Sequence, residues 1–285
     1  MTNNKIGSPI ADGDDYWHWA AREIGFPEKS ITQHVSKYSK LLNCQSEKIV
    51  PTAGKIKPLM IACTSRSGST FLSEILLQTQ AWGRPGEYLN FFEMERQIGN
   101  ERIHLADYVV ERIETHGSDG RIAIKGASHM LLTLAMGGLL PQALEWDWVF
   151  LTRNDVMAQA ISLLIAEQTG SWQSGIEARG VPEYEFRELS SRIDVITSEN
   201  MRWERFFAKA GIAPIRICYE QLQSKPENFL KIIGQRSGIQ GSFEFNAEGV
   251  NVKIQRGSQN RLMSIDYHND FKKRLKMPDI KLDST

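Results

Sequence analysis

The residues best suited to chemistry stand together between Pro58 and Thr79, PLMIACTSRSGSTFLSEILLQT. Leu59 to Cys63 is an apolar run without helical spacing, Thr64 to Thr70 supplies Ser, Arg and Gly, and an amphipathic segment begins at Phe71. This order predicts buried strand, tight loop and helix. In such a turn the N–H groups of the loop and of the first helical turn converge on one spot, and the helix dipole adds partial positive charge there. That spot suits an anion, and a phosphate above all. Gly68 can take the backbone angles of the wrap, Ser65, Ser67, Ser69 and Thr70 bring hydroxyls, and Arg66 brings a fork-shaped cation matched to phosphate oxygens. The plainer reading is an ordinary strand–helix turn with a Ser cap, because one Gly-containing turn is a weak motif by itself.

The loop lacks the G-x-x-x-x-G-K-[ST] order of nucleoside-triphosphate P-loops: it has one Gly, no Lys-Ser/Thr pair, and an Arg before the Gly. A Walker-type ATPase or kinase is therefore disfavoured. Arg66-Ser67-Gly68-Ser69-Thr70 instead resembles the 5′-phosphosulfate loop of sulfotransferases that use 3′-phosphoadenosine-5′-phosphosulfate (PAPS). The closer likeness is to the bacterial trehalose 2-sulfotransferase family, which has R-S-G-S-T where the animal cytosolic enzymes have K-S-G-T-T.

Further blocks carry the same resemblance. Gly83-Arg84-Pro85-Gly86-Glu87-Tyr88 is similar to the family's G-x-P-x-E-[YF] element, whose Glu is the proposed general base, so Glu87 takes that role by resemblance. Lys125 ends an apolar run at a position where parallel strands face a ligand crevice, and the family has a G-x-K-like element there. The resemblance makes it a second cation for the sulfonate or 5′-phosphate; the plainer reading is a snorkelling strand-end Lys. The segment from Leu151 to Leu163 matches the family's L-T-R-x-D-x-x-A-Q-A-x-S-L, which implies that Arg153 and Ser162 bind the 3′-phosphate of PAPS. Glu167-Gln168-Thr169-Gly170-Ser171-Trp172 is similar to its Q-T-x-x-W. The Tyr-Glu-x-Leu order beginning at Tyr219 adds that residue to the co-substrate set, and Arg256 with Gly257 is similar to the element that closes over the 3′-phosphate. The family's Q-A-D and following Trp are absent, with Gly257-Ser258-Gln259 in their place. His129 and His104 are alternative bases, although a lone His is more often structural.

The elements that must position these groups follow from periodicity. Tyr16 to Gly25 reads as a short aromatic helix ended by Gly25, Ser30 to Leu42 as a second helix, and Pro51 to Gly54 as a link. Apolar strands are expected at Arg121–Gly126, Trp146–Thr152 and Pro214–Tyr219. Helical segments are expected at Ile103–Thr115, after Arg153, at Tyr184–Ala210 and at 227–236, and the chain after Ser258 reads as a polar tail. Strands alternating with helical crossovers predict a P-loop-like α/β fold, a mainly parallel sheet covered by helices on both faces. Residues 1–57 form an N-terminal extension, disordered over 1–15 and then helical, and 58–285 the sulfotransferase-like domain.

Composition limits the partners. The chain has 285 residues, and its 34 Lys and Arg against 34 Asp and Glu give a formal charge of +0, which implies no broad basic surface for nucleic acid or membrane. Cys44, Cys63 and Cys218 are widely separated, which fits a reducing cytosol without disulfides. The start, MTNNKIGSPIADGDD, has no apolar core, and no run approaches the roughly 20 apolar residues of a membrane span, so a cytoplasmic protein is expected. No His/Cys cluster suggests a metal.

The resemblance implies sulfonate transfer from PAPS to a small-molecule acceptor, either a carbohydrate such as trehalose or a specialised metabolite, at oxygen or nitrogen, without a metal. It also implies a homodimer. Glu87 would take the acceptor's proton, while Arg66 and Lys125 neutralise the sulfonate and the departing phosphate. The competing classes are a phosphotransferase or nucleotide hydrolase, for which Mg²⁺ and the missing Lys-Ser/Thr pair would be needed, and a non-catalytic protein that binds 3′-phosphoadenosine 5′-phosphate (PAP).

Overall fold

All five residues of Leu59–Cys63 (β1) are buried, as expected of a strand covered on both faces. The computed structural model describes residues 16–43, 58–99, 101–172, 177, 179–240, 243, 246 and 258–276. Within it β1 pairs with Ala123–Gly126 (β2) on one side and Asp147–Thr152 (β3) on the other, and Ile215–Cys218 (β4) lies beyond β3. The sheet order is β2-β1-β3-β4, and every pairing is parallel. The two-residue period of β1 divides its side chains between two layers. Met60 and Ala62 join one core with Ile124, Trp148 and Phe150, whereas Leu59, Ile61 and Cys63 join the other with Val149, Leu151 and Ile217.

The helices are α1 Tyr16–Ile24, α2 Glu28–Tyr38, α3 Ser69–Thr79, α4 Phe91–Ile98, α5 Leu105–His116, α6 Met130–Met136, α7 Leu140–Ala143, α8 Val156–Thr169, α9 Phe186–Ala210, α10 Tyr219–Ser224, α11 Pro226–Arg236 and α12 Ser258–Leu275. Leu72, Ile75 and Leu76 of α3 and Leu230 and Ile233 of α11 cover one face of the sheet. On the other face, Trp203, Phe206 and Phe207 of α9 pack edge-on and stacked around Trp148 and Phe150 of β3. Aromatic pairs of this kind add about 0.5–1.5 kcal/mol beyond their buried area. Ala20, Ala21 and Ile24 of α1 and Ile31 and Tyr38 of α2 enter that same core, so the N-terminal helices share the interior of the sheet domain.

The expected α/β architecture with a parallel sheet is the observed one. Tyr184–Ala210, read as one helix or a bent pair, contains the single helix α9, which Gly211 ends with a left-handed φ of 67°. The polar tail expected after Ser258 is corrected: 258–275 is helical. Met263 and Tyr267, four residues apart, are buried against α8 and α9, and a stripe that narrow is lost in a surface of Asp, Asn, Lys and Arg. The readings of 1–15 as disordered and of Pro51–Gly54 as a link lie outside the described residues, as do Cys44, Arg256 and Gly257.

Candidate functional site

The site forms at the C-terminal ends of β1 and β3, where the chain leaves β1 toward α3 on one face and β3 toward α8 beside α9, the crevice at which open parallel sheets take ligands. Two non-helical conformations shape the loop after β1. Arg66 has φ 63° and Gly68 φ 98°. At Gly68 a Cβ would lie 2.1 Å from Cδ2 of Tyr219, so glycine is required both for the backbone angle and for the ring that lies against it. The Ser67 hydroxyl is buried and has no hydrogen-bond partner, an uncommon arrangement for an interior polar atom. The first N–H groups of α3 have no acceptor within their own helix.

Three sequence-distant groups converge on one side of this loop. The Arg66 guanidinium donates through Nε to Ser162 Oγ at 2.9 Å and through Nη1 to the carbonyl of Trp172. Arg153 Nη1 donates to the Arg66 carbonyl at 3.3 Å, and its guanidinium carbon lies 5.3 Å from the centre of the Tyr219 ring. Burial, and then the like charge of Arg153, lowers the Arg66 pKa, with Tyr219 opposing. The pair is thus held in a setting that an anion would relieve. Gln159, buried on α8, ties the same loop down by donating to Thr64 Oγ1 at 2.7 Å and to the Ser65 carbonyl at 2.8 Å. Glu220 accepts from the backbone N–H groups of Asn154 and Asp155, which fixes the turn that carries Arg153.

On the other side of the loop lies an open cleft whose lining includes Ser65, Ser69, Glu87, Asn90, Lys125 and His129. Glu87 reaches it because Gly86 pairs in parallel with Ile124 on the outer edge of β2, through Gly86 N to Ala123 O at 3.1 Å and Lys125 N to Gly86 O at 2.9 Å. That register sets Glu87 Oε1 3.7 Å from Lys125 Nζ, and Lys125 Nζ is 3.5 Å from Thr70 Oγ1 at the start of α3. A cation therefore stands between the helix start and the carboxylate. His129 precedes α6, and burial followed by Lys37 lowers its pKa, which keeps its imidazole neutral. Behind it, His34 of α2 shares a 3.1 Å hydrogen bond with Thr133 of α6. His104 is an exposed residue at the N-terminus of α5 and is not part of the cleft lining.

The structure thus gathers Arg66, Ser162, Arg153 and Tyr219 into one cluster and Glu87, Lys125 and the α3 N-terminus into a second, with residues 65–70 between them. Arg66 belongs to the first cluster by its contacts, although sequence reasoning set it beside Lys125. Gln159, Asn90 and the Trp172 carbonyl were not foreseen. Gln159 alone carries a sequence signal, a polar side chain within an otherwise apolar helical face.

A fold and site of this kind define a nucleotide-dependent group-transfer architecture. Residues 143–273 match the model of the Stf0 sulphotransferase family, and the resemblance read from the sequence stands over that segment, which contains Arg153, Ser162 and Tyr219. The loop, Glu87 and Lys125 precede it. Among solved structures, the sulfotransferase domain of the olefin synthase from Synechococcus PCC 7002 is similar with a TM-score of 0.38 and 13% identity, covering 82% of this chain and 98% of that one. No curated protein matches the sequence. Among the described residues no helix is long and apolar enough to cross a membrane, and no group of three or more His, Cys, Asp and Glu is placed to hold a metal ion.

Proposed function

We propose that the protein transfers the sulfonate of PAPS to a hydroxyl or nitrogen of a small-molecule acceptor, a carbohydrate such as trehalose or a specialised metabolite. The observation that carries this reading is the meeting of Arg66, Arg153 and Ser162 beside a strand–loop–helix anion site, with a Glu–Lys pair on the opposite side of the same loop. Such a molecule presents two phosphate-like ends, and two separate cationic clusters suit it. The buried, unpartnered Ser67 hydroxyl and the Gly68 cradle fit its 5′ end. Arg153, Ser162 and Arg66 suit the 3′-phosphate, a dianion that would offset the repulsion between the two guanidinium groups.

In the transfer, the acceptor oxygen forms a bond to sulfur as the bond from sulfur to the 5′-phosphate oxygen breaks, and PAP departs. Glu87 accepts the acceptor's proton, while Lys125 and the N–H groups of the α3 N-terminus stabilise the charge that grows on the bridging oxygen and the sulfonate. Fixed cations here do what Mg²⁺ does in kinases. Assembly as a homodimer in the cytoplasm completes the reading, and light scattering on the purified protein tests the dimer.

PAP should raise the melting temperature far more than ATP, which lacks a 3′-phosphate, because ligand binding stabilises by mass action. Incubation with PAPS and cell extract should give a product heavier by one sulfonate. Equal shifts with ATP and PAP would favour a phosphotransferase, and PAP binding without any sulfonated product would favour a non-catalytic PAP-binding protein.

A further inference from the structure

Glu199 lies on α9 one turn before Trp203, whose indole Nε1 donates to the carbonyl of Cys63, the last residue of β1, at 3.1 Å. Because α9 runs toward the start of the parallel strand β4, its earlier turns rise past the C-terminal edge of the sheet. Four residues of helix amount to about 6 Å, so Glu199 stands above the end of β1, at the level of the loop. The Cys63 thiol lines the cleft and senses Lys125, Glu87 and Glu199 together. A second carboxylate therefore approaches the same space from α9, while Glu87 approaches from the β2 edge.

This carboxylate has little to hold it. Among the described residues the only charge that favours its ionised form is Arg202, and Arg202 is itself directed at the Gly25 carbonyl at 3.4 Å and at the Phe26 ring. Charged groups on the helices packed against α9 are engaged elsewhere, Glu23 of α1 with Lys209 and Glu167 of α8 with Arg192, while Tyr267 of α12 bonds Ser190. A buried carboxylate without a partner is a costly arrangement to keep for packing alone. Residues of this kind are found where a ligand supplies the missing charge.

We propose that Glu199 is an acceptor-binding residue that receives a cationic group, an ammonium or guanidinium, of the molecule to be sulfonated. The proposal rests on the sulfotransferase reading and narrows its acceptor to compounds that carry a basic nitrogen near the nucleophile. Burial pushes the empty Glu199 up to about 7, with Arg202 opposing, so a cation should bind better as pH rises from 6 to 8 and the carboxylate ionises. Cys63, pushed up to about 12 by burial, keeps its proton over this range.

The test uses the PAP-saturated protein and three probes: methylguanidinium, methylammonium and neutral N-methylurea. Either cation should raise the melting temperature at pH 8, less so at pH 6, and N-methylurea should not. Glu199→Gln should weaken cation binding by about ten- to a hundredfold, the usual size for loss of a charge-assisted contact, and abolish its pH dependence while PAP still binds. Equal binding of N-methylurea, equal binding to the variant, or no binding of either cation to the wild type at any pH overturns the proposal. The pH dependence in the wild type decides the matter even if the variant folds poorly. Failure of PAP itself to bind the wild type overturns the sulfotransferase reading instead.

Discussion

The Arg153 guanidinium donates to the backbone carbonyl of Arg66 at 3.3 Å, so the residue that follows β3 props up the left-handed residue in the loop that follows β1. A non-glycine residue at φ 63° is held against a local cost of about 1–2 kcal/mol. Its side chain is then turned to Ser162 rather than along the loop. One arginine thereby serves as a structural support for the other, and both reach the same pocket.

Arg153→Ala should cut PAP affinity by about ten- to a hundredfold, since a charge-assisted phosphate contact contributes about 1.5–3 kcal/mol. Calorimetry on the folded variant measures it. Unchanged affinity would show that the 3′-phosphate does not meet this side chain.

Gly68→Ala meets two obstacles, a φ of 98° and a Tyr219 ring atom 2.1 Å from the new methyl. A stability loss of about 1–3 kcal/mol is expected, together with weaker PAP binding. Adding Tyr219→Ala should recover only the part due to the clash. Full recovery in the double variant, read by thermal melts, would mean that the backbone angle is unimportant.

Glu87→Gln should leave PAP binding intact and lower turnover by about 10²–10⁴-fold, the usual contribution of a positioned base. The amide keeps the shape but cannot take the proton. Near-normal turnover in this variant, with loss of activity in His129→Ala, would move the base to His129 across the cleft.

Stability should also respond to pH through Glu199. Its pKa is raised to about 7 in the folded chain from a model value of 4.5, so the folded state holds the proton more tightly than the unfolded one. That contribution is complete below about pH 4.5 and is lost as pH rises through about 7. Glu199→Gln should therefore gain about 1–3 kcal/mol over the wild type between pH 5 and pH 8 in denaturant melts. Parallel pH curves for the two proteins would show that the carboxylate is well solvated.

The sequence made the strand–loop–helix of residues 59–79 legible because its apolar run, turn residues and helical spacing each act locally. Arg153 and Ser162 were legible as a block, but their link to Arg66 was not, since it depends on β3 lying beside β1. Met130–Met136, MLLTLAM, is apolar throughout and so gives no periodicity to read as a helix; all of it is buried. Glu199 looks like any charged residue of an amphipathic helix, and its burial follows only from where Trp203 meets Cys63. The 258–275 helix was hidden by the same logic reversed, too few apolar residues on too polar a surface.

The central place of β1 in the sheet has a consequence for how the chain matures. As the protein is synthesised, β1 and its loop emerge early, but their flanking partner β3 and the residues Arg153, Ser162 and Tyr219 arrive only after more than half of the chain has been made. Contacts this distant in sequence form late, because the intervening chain must first be closed. The nucleotide therefore has nothing complete to bind on a nascent chain, and it stabilises only molecules in which synthesis has passed β4.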